Sequence, residues 1–374
     1  MLNKAIGRMS EIDPSRFFQN LPEHLINLTY GEPIMPVFAH IQEAIAAAIA
    51  DQTYTLAPVR GIAELREEAA DNLRRVNGIN CNADNILITN GAHEALGLTC
   101  AALLEPGDEV IIFAPDWPMY KSMAEYFGCK AVYVTPDYEH GLSYDLSNFD
   151  ELFSDKTKAV FLNTPQNPSG VVFPEADVRR IVESCQAHEV YLLADEVYEK
   201  LVFEIPHFSA GAAEAEPELV FTLHSFSKGY ALSGLRVGYL CAARTIVDRI
   251  VNLKTDLSFA TNVISQKAAL AALQTPRDVV DGMVRDYRGK RDTLMQCFDD
   301  LDISYVRPQG AFFVLADFSQ FGDDEIGQRK LLEKTGILTF PGSFYGSAPG
   351  YLRFSYSAKS EDIEAAVNSL RTRL

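Results

Sequence analysis

The sequence predicts an α/β fold. A mostly parallel sheet is sandwiched by helices, and a smaller α+β domain is formed by the N-terminal arm and the C-terminal segment. Three observations carry this expectation. Short, continuous apolar runs rich in β-branched and aromatic residues alternate with helical segments from Ile86 to Leu240, the signature of strands buried on both faces. After Thr261 the pattern changes to a long helical stretch and then a few short strands. A length of 374 residues exceeds what one compact core usually organises. The expected division is an arm over 1–35 that joins the small domain, a large domain over 36–265, and an interdomain helix with the small C-terminal domain over 266–374.

Gly31-Glu32-Pro33 reads as a turn, Ile41 to Ala50 as an Ala-rich helix, and Gly61 to Arg75 as a second helix charged on one face. Seven apolar runs then read as strands: Ile86 to Thr89, Val110 to Phe113, Ala131 to Val134, Ala159 to Leu162, Val190 to Ala194, Leu219 to Leu223 and Val237 to Leu240. Helices are expected to about Leu104 and around Tyr120 to Phe127, and Val251 to Ser265 reads as a loop. Asn262 to Asp299 is mostly helical with a break near Pro276. Ala311 to Leu315 and Tyr351 to Tyr356 read as strands, and a terminal helix starts at Glu361.

Composition narrows the partners. With 47% hydrophobic and 22% charged residues the chain is an ordinary globular one. A formal charge of −18 argues against nucleic acid or an anionic membrane surface, so any bound anion must be gripped locally. Cys81, Cys100, Cys129, Cys185, Cys241 and Cys297 are widely spaced, which suggests buried free thiols in a reducing cytoplasm rather than zinc or disulfides. No secretory signal and no membrane-spanning run is evident.

Ligands of open α/β sheets bind beyond the carboxyl ends of the strands, and the unusual polar residues cluster there. Ser225, Lys228 and Arg236 follow the Leu219 to Leu223 run. A hydroxyl, a nucleophilic amine and a guanidinium suit a phosphorylated aldehyde, although a lone Lys in such a loop is more often solvated. Asn90-Gly91-Ala92-His93 opens a helix whose free N–H groups favour phosphate; a simple helix cap is the blander alternative. Trp117, the sole tryptophan, lies between two prolines where it can stack on a flat ring. Asn167 sits in the rigid Asn163-Thr164-Pro165-Gln166-Asn167-Pro168 loop. Asp195 ends an apolar run and must be paired if buried; it serves either as a cap or as the partner of a protonated ring nitrogen, with Tyr198 nearby.

Asn-Gly-Ala, Asn-Pro-Ser-Gly, Asp-Glu-Val-Tyr and Ser-x-Ser-Lys followed by Gly-Leu-Arg-Val-Gly occur here in one order and spacing. In combination they resemble the class I/II aminotransferase family of fold-type I pyridoxal-phosphate enzymes, from Gly31 to Arg353. The resemblance implies pyridoxal 5'-phosphate as cofactor and an amino-group transfer between an L-amino acid and a 2-oxo acid by a ping-pong cycle. It implies that Lys228 holds the cofactor as an internal Schiff base and shuttles the proton, that Asp195 pairs with the pyridinium, and that Asn167 and Tyr198 bond the phenolic oxygen. Trp117 would stack on the ring, and Ser225, Arg236 and the Ala92–His93 backbone would hold the phosphate. Tyr54 would reach the phosphate of a neighbouring subunit in a cytoplasmic homodimer, and Arg353, helped by the Gly31 backbone, would clamp the substrate carboxylate. The same machinery also serves β-lyases and specialised cyclases or oxidases. Two departures stand out: Ser233 replaces a usual Pro, and His93 stands where some aspartate-active relatives carry Lys. With only Lys254 between Val251 and Ser265, strict aspartate specificity is not implied, though His93 or Lys254 would be able to touch a polar side chain.

Overall fold

The computed structural model describes residues 4–10, 17, 21, 25–51, 55–138, 141–346 and 349–374. All seven runs lie in one seven-stranded sheet, in the order Ile86–Thr89, Gly238–Cys241, Val220–Ser225, Tyr191–Asp195, Thr157–Asn163, Glu109–Phe113 and Lys130–Val134. Five neighbouring strands run parallel. Gly238–Cys241 is antiparallel to both of its neighbours.

Alternation along the strands builds two cores. Phe161, Leu193, Phe221 and Leu240 pack beneath helices Ala92–Leu103, Met119–Phe127 and Arg244–Leu257. Val160, Leu192 and Val220 face helix Glu175–Ala187 through Val178, Ile181 and Val182. A third cluster joins Ile86, Ile88 and Tyr239 to helices Ala39–Ala50, Ala63–Asn72 and Val263–Leu273. Burial on both faces explains why these strands are apolar throughout.

A four-stranded antiparallel sheet, ordered Phe340–Pro341, Tyr351–Ser355, Phe313–Asp317, Tyr305–Val306, packs against Arg277–Asp300 and Ser360–Arg373. Ile26–Asn27 pairs in parallel with Ile337–Leu338, so the N-terminal segment lies with the C-terminal one.

Two expectations need correction. Val251 to Ser265 is not a loop: helix Arg244–Leu257 runs into it and helix Val263–Leu273 begins before its end. The second charged helix spans Ala63–Asn72 and passes into a π turn, Leu73–Asn77, closed by Gly78 in the left-handed region at φ 74°. All six cysteines are buried and free. Among the described residues no helix is long and apolar enough to cross a membrane.

Candidate active site

The parallel strands end on one edge of the large sheet. Asp195 closes its strand and leads directly to Tyr198. Ser225 closes the next and lies opposite Gly238, which in turn lies opposite Thr89. This register brings three segments, 89–93, 225–228 and 236–238, to one corner.

That corner is shaped for an anion. Helix Ala92–Leu103 starts at Gly91, whose φ is 80° and which offers no side-chain cap, so its first N–H groups are left for an external acceptor. Arg236 lies so close that a Cβ on Gly91 would meet its Nη2 at 2.9 Å. A Cβ on Gly238 would meet the His224 carbonyl at 2.6 Å and the Ala92 nitrogen at 2.8 Å, which explains the absence of a side chain there. Ser225 accepts from the Ser227 N–H at 3.1 Å and caps the short helix carrying Lys228.

Lys228 donates to the Gly31 carbonyl and lies 6.0 Å above the Tyr198 ring. Burial pulls its amine down to about 8; Glu32 and Asp195 oppose the shift, whereas Arg236 and Arg353 add to it. Asp195 is 7% exposed. Burial pushes its carboxyl up against the opposing hydrogen bonds from the Tyr120 hydroxyl (2.6 Å, to Oδ2) and the Val197 N–H (3.2 Å, to Oδ1). Trp117 packs edge-on against both His93, at 5.4 Å, and Tyr120, at 5.7 Å. Burial and then Arg236 lower the His93 pKa, so its ring is neutral at neutral pH.

Arg353 lies deeper, 3% exposed, on strand Tyr351–Ser355. Its guanidinium sits 4.2 Å from the Phe313 ring centre and 4.7 Å from that of Tyr345. Nη1 donates to Asn167 Oδ1 at 3.0 Å and Nη2 to the Thr29 carbonyl at 2.8 Å. Among the described residues no carboxylate pairs with it and Nε has no hydrogen-bond partner. Burial lowers its pKa, only partly offset by Tyr345 and Tyr198. A buried cation without a counter-ion is costly, so this pocket calls for an anion.

Hydrogen bonds, ring contacts and charge interactions thus bring Gly31, Asn167, Asp195, Tyr198, Lys228 and Arg353 together, with Trp117, His93 and Arg236 alongside and the Ala92 amide and Ser225 at the corner. Tyr54 lies outside the described residues. Lys254 does not line this space freely: its fully buried ammonium bonds Glu94 Oε2 at 2.7 Å and Ser258 Oγ at 3.3 Å. Behind Asp195, buried Glu196 accepts from Ser209 and the Ala210 N–H and faces His207 at 3.1 Å. Sequence reasoning missed Thr29 and Tyr120; the latter's one signal is its place three residues after Trp117, on the same side of a helix start.

Residues 23–370 match the family model for aminotransferase class I and II. The chain belongs to the class I and II aminotransferases. It is 35% identical to a probable aspartate/prephenate aminotransferase of Thermus aquaticus, covering 92% of this chain and 90% of the relative. It is 33% identical to a probable aspartate aminotransferase of Methanocaldococcus jannaschii, with 98% of each covered. The solved Thermus thermophilus aspartate aminotransferase with maleate superposes with a TM-score of 0.94 at 31% identity over the whole of both chains. This aminotransferase is therefore a pyridoxal-phosphate-dependent transferase of amino groups with the fold-type I architecture. The observed groups suit that cofactor chemically: an uncapped helix start beside Arg236 matches a phosphate, buried Asp195 matches a cationic ring nitrogen, and the Lys228 amine matches an aldehyde.

Proposed function

We propose that the protein transfers the amino group of an L-amino acid to a 2-oxo acid at the site built around Lys228, Asp195 and Arg353. The observation that carries this reading is Arg353: a buried guanidinium without a carboxylate partner among the described residues, beside the Lys228 amine. An α-carboxylate satisfies its fork of donors in a way an ammonium or a neutral group cannot.

When bound, pyridoxal 5'-phosphate supplies an aldehyde for the amino group and a ring that accepts the electron pair released at Cα. Ser225, Arg236 and the Ala92–His93 N–H groups would hold its phosphate, and Trp117 would pack on its ring. Asp195 keeps the ring nitrogen protonated. Asn167 accepts from Arg353 through Oδ1, so its amide N–H pair would be available to the phenolic oxygen, and Tyr198 would donate to the same atom. Lys228 would be the attachment point for the aldehyde, and its amine, with a pKa of about 8, is near enough to neutral pH to hold and return the Cα proton. Arg353, assisted by the Gly31 backbone, holds the carboxylate and so fixes which Cα bond meets that amine.

Relatives named for aspartate suggest a dicarboxylic donor, but two cationic candidates for a distal carboxylate are spent. Lys254 is neutralised by Glu94 and His93 is uncharged. Donor choice is therefore not fixed by a charge at either position, and strict aspartate specificity is not implied. The proposed division is an arm over 1–35, a large domain over 36–265 and an interdomain helix with the small domain over 266–374; the seven-stranded sheet lies within the second and the four-stranded sheet within the third. A homodimer is supported by large apolar side chains left exposed at Leu56 (78%) and Leu257 (67%). Six reduced, buried thiols fit a cytoplasmic setting.

A panel of amino acids, each mixed with the holoenzyme without an oxo acid, tests the reading. Amino acids should bleach the visible band of the bound cofactor in a stoichiometric half-reaction, and the corresponding decarboxylated amines should not. Failure of every amino acid, or equal reaction of the amines, would contradict it.

A further inference from the structure

The shortest polar contact of Asp195 is with a residue to which nothing so far gives a role. Tyr120, the second residue of helix Met119–Phe127, donates its hydroxyl to Asp195 Oδ2 at 2.6 Å, and both side chains are buried. Burial, followed by the Asp195 charge, raises the phenol's pKa well above its usual value, so it is a donor at every working pH. Its ring is clamped edge-on between Trp117, at 5.7 Å and 84°, and Phe161, at 5.8 Å and 70°. Among the described residues the other carboxylate oxygen, Oδ1, takes only a longer bond from the Val197 N–H at 3.2 Å.

From this geometry we propose that Tyr120 is the positioning residue of Asp195. A buried carboxylate held by a single backbone donor is free to rotate and is pushed towards protonation. The phenol opposes both effects: it fixes one oxygen in place and favours the ionised form, leaving Oδ1 as the oxygen presented to a ring nitrogen. Because the same phenol ring packs on Trp117, the stacking wall and the anion beneath it move as one unit. The proposal rests on Asp195 being the partner of the ring nitrogen, so its test must separate the two.

The experiment compares Tyr120→Phe, Tyr120→His, Asp195→Asn and the Tyr120→Phe/Asp195→Asn double variant. The readouts are the cofactor dissociation constant of the apoprotein and the pH midpoint of the visible band of the bound cofactor. Loss of one hydrogen bond to a charged group corresponds to about a ten- to hundredfold weakening. Tyr120→Phe should therefore weaken cofactor binding by that factor. It should also move the pH midpoint upward, because a less ionised Asp195 leaves the ring less positive. Tyr120→His, which retains an N–H donor, should recover part of both, and Tyr120→Phe should add nothing in the Asp195→Asn background. A Tyr120→Phe protein matching the wild type in both readouts while Asp195→Asn changes them overturns the Tyr120 role alone. An equal cost of Tyr120→Phe with and without Asp195 reduces Tyr120 to packing and overturns it too. An Asp195→Asn protein with wild-type binding and midpoint removes the role of Asp195, and the proposal falls with it.

Discussion

Replacing Arg353 by Met separates the need for its charge from the need for its volume. The side chain is enclosed by Phe313, Tyr345 and Phe340, with ring centres 4.2, 4.7 and 5.2 Å from the guanidinium carbon. An unbranched thioether fills much of this aromatic box. The substitution removes two internal hydrogen bonds, to Asn167 and Thr29, but it also removes a buried cation whose counter-ion is not among the described residues. The two effects offset one another, so the apoprotein should keep its stability to within about 2 kcal/mol. Catalysis has no such offset. A bidentate grip on a carboxylate comprises two charge-assisted hydrogen bonds of about 1.5–3 kcal/mol each. Their loss should lower kcat/KM by about two to four orders of magnitude. The assay is the stopped-flow half-reaction with an amino acid and with its decarboxylated amine. Arg353→Met should leave the visible spectrum of the bound cofactor in place and abolish the preference for the carboxylated donor. A variant that keeps kcat/KM within tenfold of the wild type, or still prefers the amino acid, would refute the assignment of this guanidinium as the carboxylate anchor.

Two further outcomes follow from buried pairs outside the reacting centre. Lys254→Met strips the counter-ion from Glu94, and thermal or denaturant unfolding should record a loss of about 3–5 kcal/mol, while the ranking of amino donors in the half-reaction screen stays the same. The His207 pKa is raised: burial alone would depress it, but the facing Glu196 carboxylate at 3.1 Å outweighs that. A raised folded value stabilises the protein fully below the unfolded His value of about 6.5 and loses that contribution as pH climbs through the folded one. Denaturant midpoints should fall over that window in the wild type, with a smaller fall in His207→Gln.

The large sheet was legible because parallel strands covered on both faces cannot hide their apolar runs: Ile86, Val160, Leu192 and Val220 are all essentially inaccessible. Helix Arg244–Leu257 was not. It opens at Ala243 without a capping side chain, and one position of its buried stripe, after Val247 and Ile250, is Lys254. A lysine on the inner face disguised the stripe, and only the tertiary partner Glu94, 160 residues away, makes that lysine tolerable. The candidate site divides in the same way. Lys228, Asp195 and Asn167 stand at strand ends where polar residues interrupt apolar runs, so residue type and position expose them. That Arg353 has no carboxylate partner among the described residues is invisible in sequence, because pairing is a property of the fold. Tyr120 reads as a core aromatic on a helix face; its hydroxyl acquires meaning only from a carboxylate 75 residues further along the chain.

Every role proposed for this site depends on the amine of Lys228 carrying the cofactor. Borohydride reduction of the holoenzyme, followed by proteolysis and mass spectrometry, tests it most directly. One pyridoxyl-phosphate adduct per chain is expected on the peptide containing Lys228, and none in Lys228→Ala protein prepared in parallel. An adduct on another lysine, or an unchanged adduct in Lys228→Ala, would contradict it.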